Sequence, residues 1–221
     1  MSGAEEKDLI GARDRDVAAF WDDRFEREDY VYGTRPNAFL AAESWRLDPR
    51  STILVLGDGE GRNGVWLAEQ GHRVWTVDIS PRGVQKATKL ALDRGVTLRT
   101  QVADLLTWEW PEGAYDAIVS LFVPFPPAER VRIHDRIRRA LKPGGLFLQE
   151  HFGRAQIGRP SGGPKNPDLL PTPDELARDF AGFEMPVLDE GERVLDEGTG
   201  HQGAAITVRI VARKPGEAAR Q

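Results

Sequence analysis

The sequence predicts an α/β fold built on a doubly wound, mostly parallel seven-stranded sheet, with an antiparallel C-terminal strand pair and helical N-terminal residues. Three observations lead to this prediction. Short apolar runs typical of buried parallel strands alternate with segments of helical apolar spacing. A glycine-rich loop follows the first apolar run, Ser51–Leu56. The last two strand-like runs are separated by only a few residues, too few for a parallel crossover.

The individual elements follow from periodicity, capping residues and turn signals along the chain. The predicted strands are Ser51–Leu56, His72–Val77, Thr97–Ala103, Tyr115–Leu121, Leu146–His151, Glu184–Leu195 and Ala204–Ala212. The predicted helices are Arg13–Phe25, Ala38–Trp45 with Asn37 as cap, a helix through Val65, Leu67 and Ala68 that ends at Gly71, Gly83–Arg94, Ala128–Leu141 and Pro173–Phe180. The glycine- and proline-rich segment Gly153–Pro173 predicts a long loop over the sheet.

The sequence contains neither internal repeats nor a domain linker. We therefore expect a single domain over residues 1–221. Within it we expect a loose tail at 1–12, a helical N-terminal part at 13–46 and the α/β core at 51–213.

Composition and charge exclude several functional classes. Hydrophobic residues make up 40% of the chain and charged residues 29%, as in ordinary globular proteins. The absence of cysteine excludes disulfides, thiolate metal sites and cysteine nucleophiles. No apolar run approaches the roughly 20 residues of a membrane span, and residues 1–16 lack the apolar centre of a signal peptide. We therefore expect a cytoplasmic protein without membrane contact. A net charge of -5 argues against nucleic acid as a partner, and the spacing of the histidines argues against a metal site.

The glycine-rich loop and the acid after the next strand predict a nucleoside-binding site. Gly59, Gly61 and Gly64 satisfy the pattern G-x-G-x-x-G, in which glycines let the backbone turn sharply and leave helix N–H groups free to face an anion. Asp78 ends the second strand, where a carboxylate can accept hydrogen bonds from both hydroxyls of a ribose. The alternative for Asp78 is a helix cap or a surface acid. A nicotinamide-dependent oxidoreductase and a methyltransferase both fit these residues.

Three further features separate these two interpretations. Asp104 ends the third strand, where its carboxylate or the adjacent backbone can meet an adenine amino group. The turn Lys142-Pro-Gly-Gly precedes the fifth strand, and the chain closes with the antiparallel pair. Together with the glycine loop and Asp78, these features resemble the class I S-adenosylmethionine-dependent methyltransferases over residues 50 to 212.

The resemblance implies a Rossmann-like methyltransferase fold, S-adenosylmethionine as cofactor, S-adenosylhomocysteine as product and no metal. It assigns the cofactor site to Gly57, Asp58, Gly59, Gly61, Asp78, Ile79, Ser80, Asp104, Leu105 and Ser120. One position departs from the family pattern, because Val55 stands where an acidic residue often lies, two positions before the first loop glycine. We therefore expect the methionine amino group to meet the Gly57 carbonyl or the Asp58 carboxylate instead.

The N-terminal residues narrow the resemblance. Phe20-Trp-Asp-Asp-Arg-Phe, Tyr32-Gly-Thr-Arg-Pro-Asn-Ala-Phe-Leu and Gly61-Arg-Asn-Gly are similar to the tellurite-resistance and thiopurine methyltransferases. That similarity implies an N-terminal helical lid, with Trp21 and Tyr32 lining it over the cofactor. The alternative for Trp21 is that it only anchors a helix to the core.

Two histidines are candidates to face the substrate or take its proton, because imidazole titrates near neutral pH. His151 ends the fifth strand, and His201 lies in the predicted hairpin loop. The structural alternatives are a strand-end histidine bonded to backbone and an exposed loop histidine. A general base is needed only if the attacking atom arrives protonated.

The function expected from these residues is methyl transfer to a small-molecule acceptor by direct in-line displacement, mainly through proximity and orientation. Amino-methyltransferases acting on bases carry Asn or Asp followed by Pro-Pro and an aromatic after the fourth strand. Here the prolines after Ser120-Leu-Phe-Val come too late and lack that Asn or Asp. The alternatives left open are the nicotinamide-dependent oxidoreductase and a non-catalytic S-adenosylmethionine-binding module. The oligomeric state is not predicted.

Overall fold

Seven strands form one sheet in this computed structural model, which describes residues 17–216. The strands are β1 (Thr52–Leu56), β2 (Arg73–Asp78), β3 (Arg99–Val102), β4 (Tyr115–Leu121), β5 (Leu141–Phe152), β6 (Glu184–Glu197) and β7 (His201–Arg213). Their order across the sheet is β3-β2-β1-β4-β5-β7-β6. The first five are parallel to one another, and β7 runs antiparallel to both β5 and β6. The predicted fold class, including the antiparallel C-terminal pair, is confirmed.

Six α-helices accompany the sheet within the described residues. They are α1 (Val17–Arg24), α2 (Ala38–Glu43), α3 (Arg62–Glu69), α4 (Pro81–Asp93), α5 (Pro127–Ala140) and α6 (Pro173–Asp179). Asn37 caps α2, as predicted, by accepting a hydrogen bond from the Leu40 amide at 2.9 Å. The predicted loose tail at 1–12 and the first residues of the predicted N-terminal helix, 13–16, lie outside the described residues.

The two layers of helices follow from the alternation of side chains along β1. Successive strand residues point to opposite faces of the sheet. Leu54 and Leu56 join a buried cluster with residues of α5 and α6, whereas Ile53 and Val55 join another with residues of α2 and α3. Both faces of the central strand are therefore covered, as a parallel sheet requires. Val55 is buried in this core.

The strand boundaries differ from the sequence-based expectation in two places. Lys142–Gly145 does not separate α5 from β5 as a turn. Instead β5 begins at Leu141, which pairs with Tyr115, and the ladder resumes at Leu146, which pairs with Ala117. The extra residues form an irregularity inside the strand, where Gly144 takes a positive φ of 78°.

The C-terminal hairpin is tighter than predicted. The sequence suggested a loop over 196–203, but pairing continues to Glu197 and His201, so only the three residues 198–200 form the turn. His201 is consequently the first residue of β7 rather than a loop residue, which corrects its predicted placement. Polar residues extend the strands here because side chains from other elements form hydrogen bonds and ion pairs with them. Such long-range contacts cannot be predicted from the local pattern of apolar residues.

This topology positions a site at the carboxyl ends of β1, β2 and β4. The strand order reverses between β1 and β4, and doubly wound sheets bind ligands in the crevice at that point. The residues before α2 and the β6–β7 turn approach the same edge, because the amides of Thr199 and Gly200 donate to the Val31 carbonyl at 2.9 and 3.3 Å. Among residues 17–216, no helix is both long enough and apolar enough to cross a membrane.

Candidate cofactor and acceptor site

A cavity of about 460 Å³ opens at the carboxyl ends of β1, β2 and β4. Its walls come from the glycine loop, the ends of three strands, α1, the residues before α2 and the first residue of β7. The lining residues of the strands and loops include Gly57, Asp58, Gly59, Asp78, Ile79, Asp104, Leu105, Phe122, Val123, Phe125 and Leu169. Trp21, Tyr32, Arg62 and His201 complete the wall on the N-terminal and hairpin side. The cavity thus gathers ten of the fourteen residues that the sequence assigned to the site.

The other four predicted site residues lie outside this lining. Gly61 precedes α3, and Ser80 caps α4 through a hydrogen bond from the Gly83 amide to its hydroxyl at 3.0 Å. Ser120 in β4 and His151 in β5 line a separate small cavity on the α5 side of the sheet. From the sequence alone, we could not predict on which face of the sheet the residues at a strand end lie.

Two residues of the glycine loop must be glycine, because of both their backbone conformation and the closeness of their neighbours. Gly57 and Gly61 have positive φ values of 56° and 89°. A Cβ at Gly61 would lie 2.6 Å from the Cβ of Ala87 in α4, and a Cβ at Gly57 would lie 2.7 Å from a methyl group of Val123. These close approaches bring α4 and the β4 loop against the loop that follows β1, and so define the floor of the cavity.

Asp78 joins the glycine loop to the end of β2. Its Oδ2 accepts a hydrogen bond from the Gly59 amide at 2.7 Å, and its Oδ1 accepts one from the Ser80 amide at 2.8 Å. Burial raises the pKa of Asp78, while the bonds from Ser80 and Gly59 act in the opposite direction. A carboxylate accepts through about four lone-pair sites, so these two amides leave capacity for further donors in the cavity.

Asp58 carries a polar atom in the cavity wall that lacks a partner. Its Oδ2 accepts from the Gly64 amide at 3.0 Å. Its Oδ1 is buried and has no hydrogen-bond partner among the described residues. Burial raises the pKa of Asp58 to about 7, and the negative charge of Asp78 adds to this effect. A buried, unsatisfied carboxylate oxygen of this kind is suited to a cationic ligand group.

The end of β3 and the segment after it form the next part of the wall. Asp104 Oδ1 accepts from the Leu106 amide at 2.8 Å, which fixes the turn that brings Leu105 to the cavity. Ile79 faces the same cavity from the end of β2. The acidic side chain can accept a hydrogen bond from the edge of a heterocyclic base, and the two apolar side chains can pack on its faces.

The N-terminal segment is held on α4. The Arg82 amide donates to Asp22 Oδ1 at 3.0 Å, and the Ser80 hydroxyl donates to the same oxygen. Trp21 stacks on Phe25 with ring centroids 5.8 Å apart, and both rings line the cavity. Trp21 therefore packs against a buried neighbour and also faces the cavity, so its two predicted roles are compatible.

Tyr32 lines the cavity between α1 and the start of β7. Arg24 Nε donates to its hydroxyl oxygen at 2.9 Å. Its ring centroid is 4.6 Å from that of His201. Tyr32 thus links α1 to the start of β7, as a residue of a closing segment would.

A buried polar network, which we call the Asn37 network, ties three parts of the chain together. It consists of Asn37, Arg62, Asn63, Glu150 and Glu197. Asn37 Nδ2 donates to Glu150 at 2.7 Å and to Glu197 at 2.9 Å. The backbone N–H of Asn37 donates to Asn63 Oδ1 at 2.9 Å. Arg62 Nη2 donates to Glu197 Oε2 at 2.7 Å. The network therefore fixes α3, the N-terminal segment and the hairpin relative to one another.

Glu197 is ionised at neutral pH. Burial on its own would raise the pKa of this carboxyl group, but the contacts with His201 and Arg62 outweigh burial and hold the pKa at about 2. The sequence analysis missed Glu197 and Arg62 as site residues. Nothing local marks them, because they are 135 positions apart in the chain.

His201 is buried in an aromatic pocket beside the cavity, so it is not an exposed loop histidine. Its ring centroid lies 4.4 Å from that of Phe122 and 5.0 Å from that of Phe152. Its Nδ1 lies 3.6 Å from Glu197 Oε2. Burial lowers the pKa of His201, and the positive charges of Arg62 and Arg24 add to this, while Glu197 opposes it.

His151 is placed differently. It is buried at the end of β5, and its Nδ1 lies 3.1 Å from the carbonyl oxygen of Phe152. Its Nε2 has no hydrogen-bond partner among residues 17–216, and burial lowers its pKa to about 4. These contacts match the alternative of a strand-end histidine bonded to backbone.

Phe122 is a second lining residue that the sequence analysis did not single out individually. It follows β4 with a φ of 58°, in the left-handed region that aromatic residues rarely adopt. Its amide donates to the Glu150 carbonyl at 2.8 Å, which holds the unusual backbone. The conformation directs the ring to His201 and to the cavity. Strain of this kind is commonest at functional sites.

The comparisons with known proteins agree with the fold. A family model described as a methyltransferase domain matches residues 53–145. The 2-heptyl-1-hydroxyquinolin-4(1H)-one methyltransferase of Mycobacteroides abscessus is 31% identical over 154 residues, which cover 62% of this chain and 68% of that protein. The tRNA N(3)-methylcytidine methyltransferase of Drosophila melanogaster is 29% identical over 163 residues, which cover 65% of this chain and 50% of that protein.

Two solved structures show the same fold at low identity. The magnesium protoporphyrin IX methyltransferase of Synechocystis, with bound S-adenosylhomocysteine, has a TM-score of 0.67 at 16% identity, covering 90% of this chain and 97% of that chain. TehB of Haemophilus influenzae has a TM-score of 0.68 at 17% identity, covering 89% of this chain and 66% of that chain. The fold, the glycine loop and the relative that is 31% identical over 154 residues identify this chain as a member of the class I S-adenosylmethionine-dependent methyltransferases.

Proposed function

We propose that the chain transfers the methyl group of S-adenosylmethionine to a small-molecule acceptor inside the cavity. The observation that carries the proposal is the division of the cavity wall. Asp58, Asp78 and Asp104 lie on the glycine-loop side, whereas the β4 side is formed by aromatic and aliphatic residues. The acidic side suits a cofactor that carries an ammonium group, two ribose hydroxyls and an adenine amino group. The apolar side is then left for the acceptor.

The cofactor roles follow from the contacts of each acid. Asp78 has acceptor capacity beyond its two backbone bonds and would accept from the ribose hydroxyls. Asp104, with Ile79 and Leu105, would hold the adenine. Asp58 Oδ1 would receive the methionine ammonium group, which replaces the acid that the family often has at the position of Val55. Gly57 and Gly59 allow the close approach, and Trp21 and Tyr32 would cover the bound cofactor.

Gly61, Ser80 and Ser120 would act on the cofactor only indirectly. Gly61 and Ser80 shape the loop and the start of α4, and Ser120 supports the end of β4. For these three residues we therefore propose an indirect role in cofactor binding.

The chemistry requires little from the protein beyond alignment. S-adenosylmethionine supplies an electrophilic methyl group and its own leaving group. The chain must place a lone pair of the acceptor behind that methyl group, which is a task of proximity and orientation. The apolar wall around Phe122, Val123 and Phe125 excludes water from the acceptor side and limits hydrolysis. Of the two candidate histidines, His201 faces the cavity, whereas His151 lies outside its lining.

Two observations favour a small molecule over tRNA as acceptor. The relative from Mycobacteroides abscessus is named for a hydroxyquinolone, although another is named for tRNA. Four of the five arginines of α5, the most basic segment of the described chain, are engaged within the protein, and only Arg132 is exposed without a contact to the described residues. Arg136 donates to the Leu105 carbonyl at 2.8 Å, Arg138 donates to the Ala181 carbonyl at 3.0 Å, and Arg139 pairs with Asp135 at 2.7 Å. They offer a weak phosphate-binding surface.

Composition supports two further parts of the proposal. A chain without cysteine suits a reducing compartment, and we propose that it acts in the cytoplasm. Within residues 17–216, no group of three or more metal-binding side chains is placed to hold an ion. We therefore expect turnover in the presence of a chelator.

Methyl transfer from labelled S-adenosylmethionine tests the proposal. The protein is incubated with a library of aromatic and aliphatic hydroxyl, thiol and amine compounds, and separately with total tRNA, in buffer containing EDTA. We expect label in one class of small molecule and none in tRNA. Label only in tRNA would overturn the small-molecule acceptor, and cofactor binding without transfer to any acceptor would favour the non-catalytic binding module.

A further inference from the structure

The charges around the cavity restrict the acceptor, if the proposed function holds. Of the described residues that line it, Asp58, Asp78 and Asp104 are acidic, and Arg62 is the one residue that is always charged positively. Arg62 is engaged by Glu197 at 2.7 Å in a buried pair. No free cation is left on the described wall to receive an anionic acceptor. The acceptor side therefore fits a molecule that enters without a negative charge.

The shape of the acceptor side favours an aromatic molecule. Phe122, Phe125, Tyr32 and His201 present rings to the cavity, and Pro124 and Leu169 add flat or branched apolar surface. The left-handed backbone conformation of Phe122 costs free energy, and it places the Phe122 ring against His201. Aromatic rings pack favourably on one another in offset or edge-to-face arrangements.

An ionised carboxylate is fixed behind His201. Glu197 Oε1 accepts from Asn37 Nδ2 at 2.9 Å and Glu197 Oε2 accepts from Arg62 Nη2 at 2.7 Å, so neither oxygen can rotate away. The same Oε2 lies 3.6 Å from His201 Nδ1, an ion-pair distance just beyond a hydrogen bond, and Nδ1 has no hydrogen-bond partner among the described residues. A carboxylate on this side favours the tautomer with the proton on Nδ1, which leaves the lone pair of Nε2 for another partner.

We propose that the acceptor is an uncharged aromatic compound with a weakly acidic hydroxyl group, and that His201, positioned by Glu197, takes the proton of that hydroxyl during methyl transfer. A lone pair of the acceptor oxygen forms the new bond to the methyl carbon. The bond from that carbon to sulfur breaks, and its electrons stay on sulfur. The O–H proton passes to Nε2 of His201, which later releases it to solvent. His201 is the catalytic residue of this step, and Glu197 is a positioning residue.

The charged and titratable groups around His201 set its behaviour with pH. Glu197 of β6 stabilises the protonated ring, whereas Arg62 of α3 and Arg24 of α1 oppose it, and His151 of β5 and Tyr32 of the N-terminal segment complete the surroundings. Burial adds to the effect of the arginines. His201 therefore starts each cycle neutral at physiological pH, as a proton acceptor must.

The test uses two bicyclic aromatic acceptors of nearly the same shape, 2-naphthol and isoquinoline, at about pH 8, where both are uncharged and only the naphthol carries a proton on its attacking atom. We expect His201→Gln to lower kcat for the naphthol by roughly 100-fold or more, the usual worth of a general base. The ring nitrogen of isoquinoline has no proton to lose and needs no base, so its kcat falls by less than about 5-fold and reports that the variant is folded. His72→Gln, at the opposite end of β2, is the matched control and changes neither rate.

The pH profile separates a proton acceptor from a structural role. In the wild type, kcat for the naphthol falls as acid protonates His201, and this acidic limb is absent in His201→Gln. Glu197→Gln removes a group that stabilises the protonated ring, so the acidic limb moves to lower pH. A merely structural loss would lower the rate equally at every pH.

Two results would overturn the inference. One is an equal loss of kcat for naphthol and isoquinoline in His201→Gln. The other is methylation of aliphatic or anionic acceptors with none of either bicyclic aromatic compound. Failure of the proposed function is a different result, namely no binding of S-adenosylmethionine and no methylation of any acceptor.

Discussion

Arg62 and Glu197 form a buried ion pair, with Nη2 2.7 Å from Oε2, that joins the helix after the glycine loop to the tip of the C-terminal hairpin. The side chains are 7% and 6% exposed, so the pair is almost fully removed from water. Asn37 from the N-terminal segment also binds Glu197. Three segments that are distant in sequence thus meet around one carboxylate, and that carboxylate faces His201.

Loss of Glu197 is predicted to destabilise the fold strongly. Glu197→Ala leaves Arg62 buried without its partner, which costs roughly 3–5 kcal/mol in the free energy of unfolding. Urea unfolding followed by circular dichroism measures this cost. Asp196→Ala is the matched control, because Asp196 pairs with Arg35 at 2.6 Å but both side chains are more than two-thirds exposed. We expect less than about 1 kcal/mol for it. Equal losses for the two variants would contradict the assigned role of the buried pair.

Binding of S-adenosylmethionine is predicted to strengthen as pH rises through about 7, the pKa of Asp58. The ammonium group of the ligand favours the ionised carboxylate, so affinity increases as Asp58 loses its proton and falls again above about pH 8, where the α-amino group of the ligand loses its own proton. Calorimetric titrations between about pH 6 and 8 measure the dependence. Asp58→Asn is expected to bind more weakly at high pH and to lack the dependence. A pH-dependent affinity that persists unchanged in Asp58→Asn would remove Asp58 from the cofactor site.

Phe122 is predicted to act on the acceptor and not on the cofactor. Phe122→Leu keeps an apolar side chain but loses the ring contacts with His201 and Phe152. Aromatic contacts are worth about 0.5–1.5 kcal/mol beyond their area, so KM for an aromatic acceptor should rise by roughly 2- to 12-fold. The Kd of S-adenosylmethionine should stay within about 2-fold, because Phe122 lies on the acceptor side. A change in cofactor Kd with an unaltered acceptor KM would reverse this assignment.

Stability is predicted to fall when acid protonates the unfolded form of His151. Its pKa is about 4 in the folded chain and about 6.5 when unfolded. The unfolded chain therefore binds more protons in this range, and the stabilising contribution, complete above about pH 6.5, is lost as pH falls towards 4. The expected loss is on the order of 3 kcal/mol. Urea midpoints of the wild type and of His151→Gln measure it, and the variant should lose less stability with acid. Parallel curves would show that His151 is not responsible.

Local patterns in the sequence were sufficient for the parallel core and for the acidic side of the cavity wall. The glycine loop follows β1, Asp78 is the last residue of β2 and Asp104 lies two residues after β3, and the carboxyl ends of parallel strands meet at one edge. Asp58 belongs to the glycine loop and lines the cavity with them, whereas Tyr32, which also lines the cavity, was predicted from the family resemblance.

Long-range contacts account for what the sequence could not predict. His201 was expected in a loop because polar residues and glycines surround it, whereas Glu197 and Arg62 satisfy that polarity and extend the strand. The left-handed conformation of Phe122 is fixed by a hydrogen bond to the Glu150 carbonyl, which no local motif indicates. His151 could not be assigned to a face of the sheet without the register of β5.

The most direct measurement is a calorimetric titration of S-adenosylmethionine into the wild type, Asp78→Ala and the exposed-acid control Asp93→Ala, with NADH titrated separately. We expect roughly micromolar binding of S-adenosylmethionine to the wild type and to the control. In Asp78→Ala, which loses the ribose acceptor and the bond to the Gly59 amide, affinity should fall by at least about 30-fold. Binding of NADH alone, or unaltered binding of S-adenosylmethionine to Asp78→Ala, would contradict the proposed site.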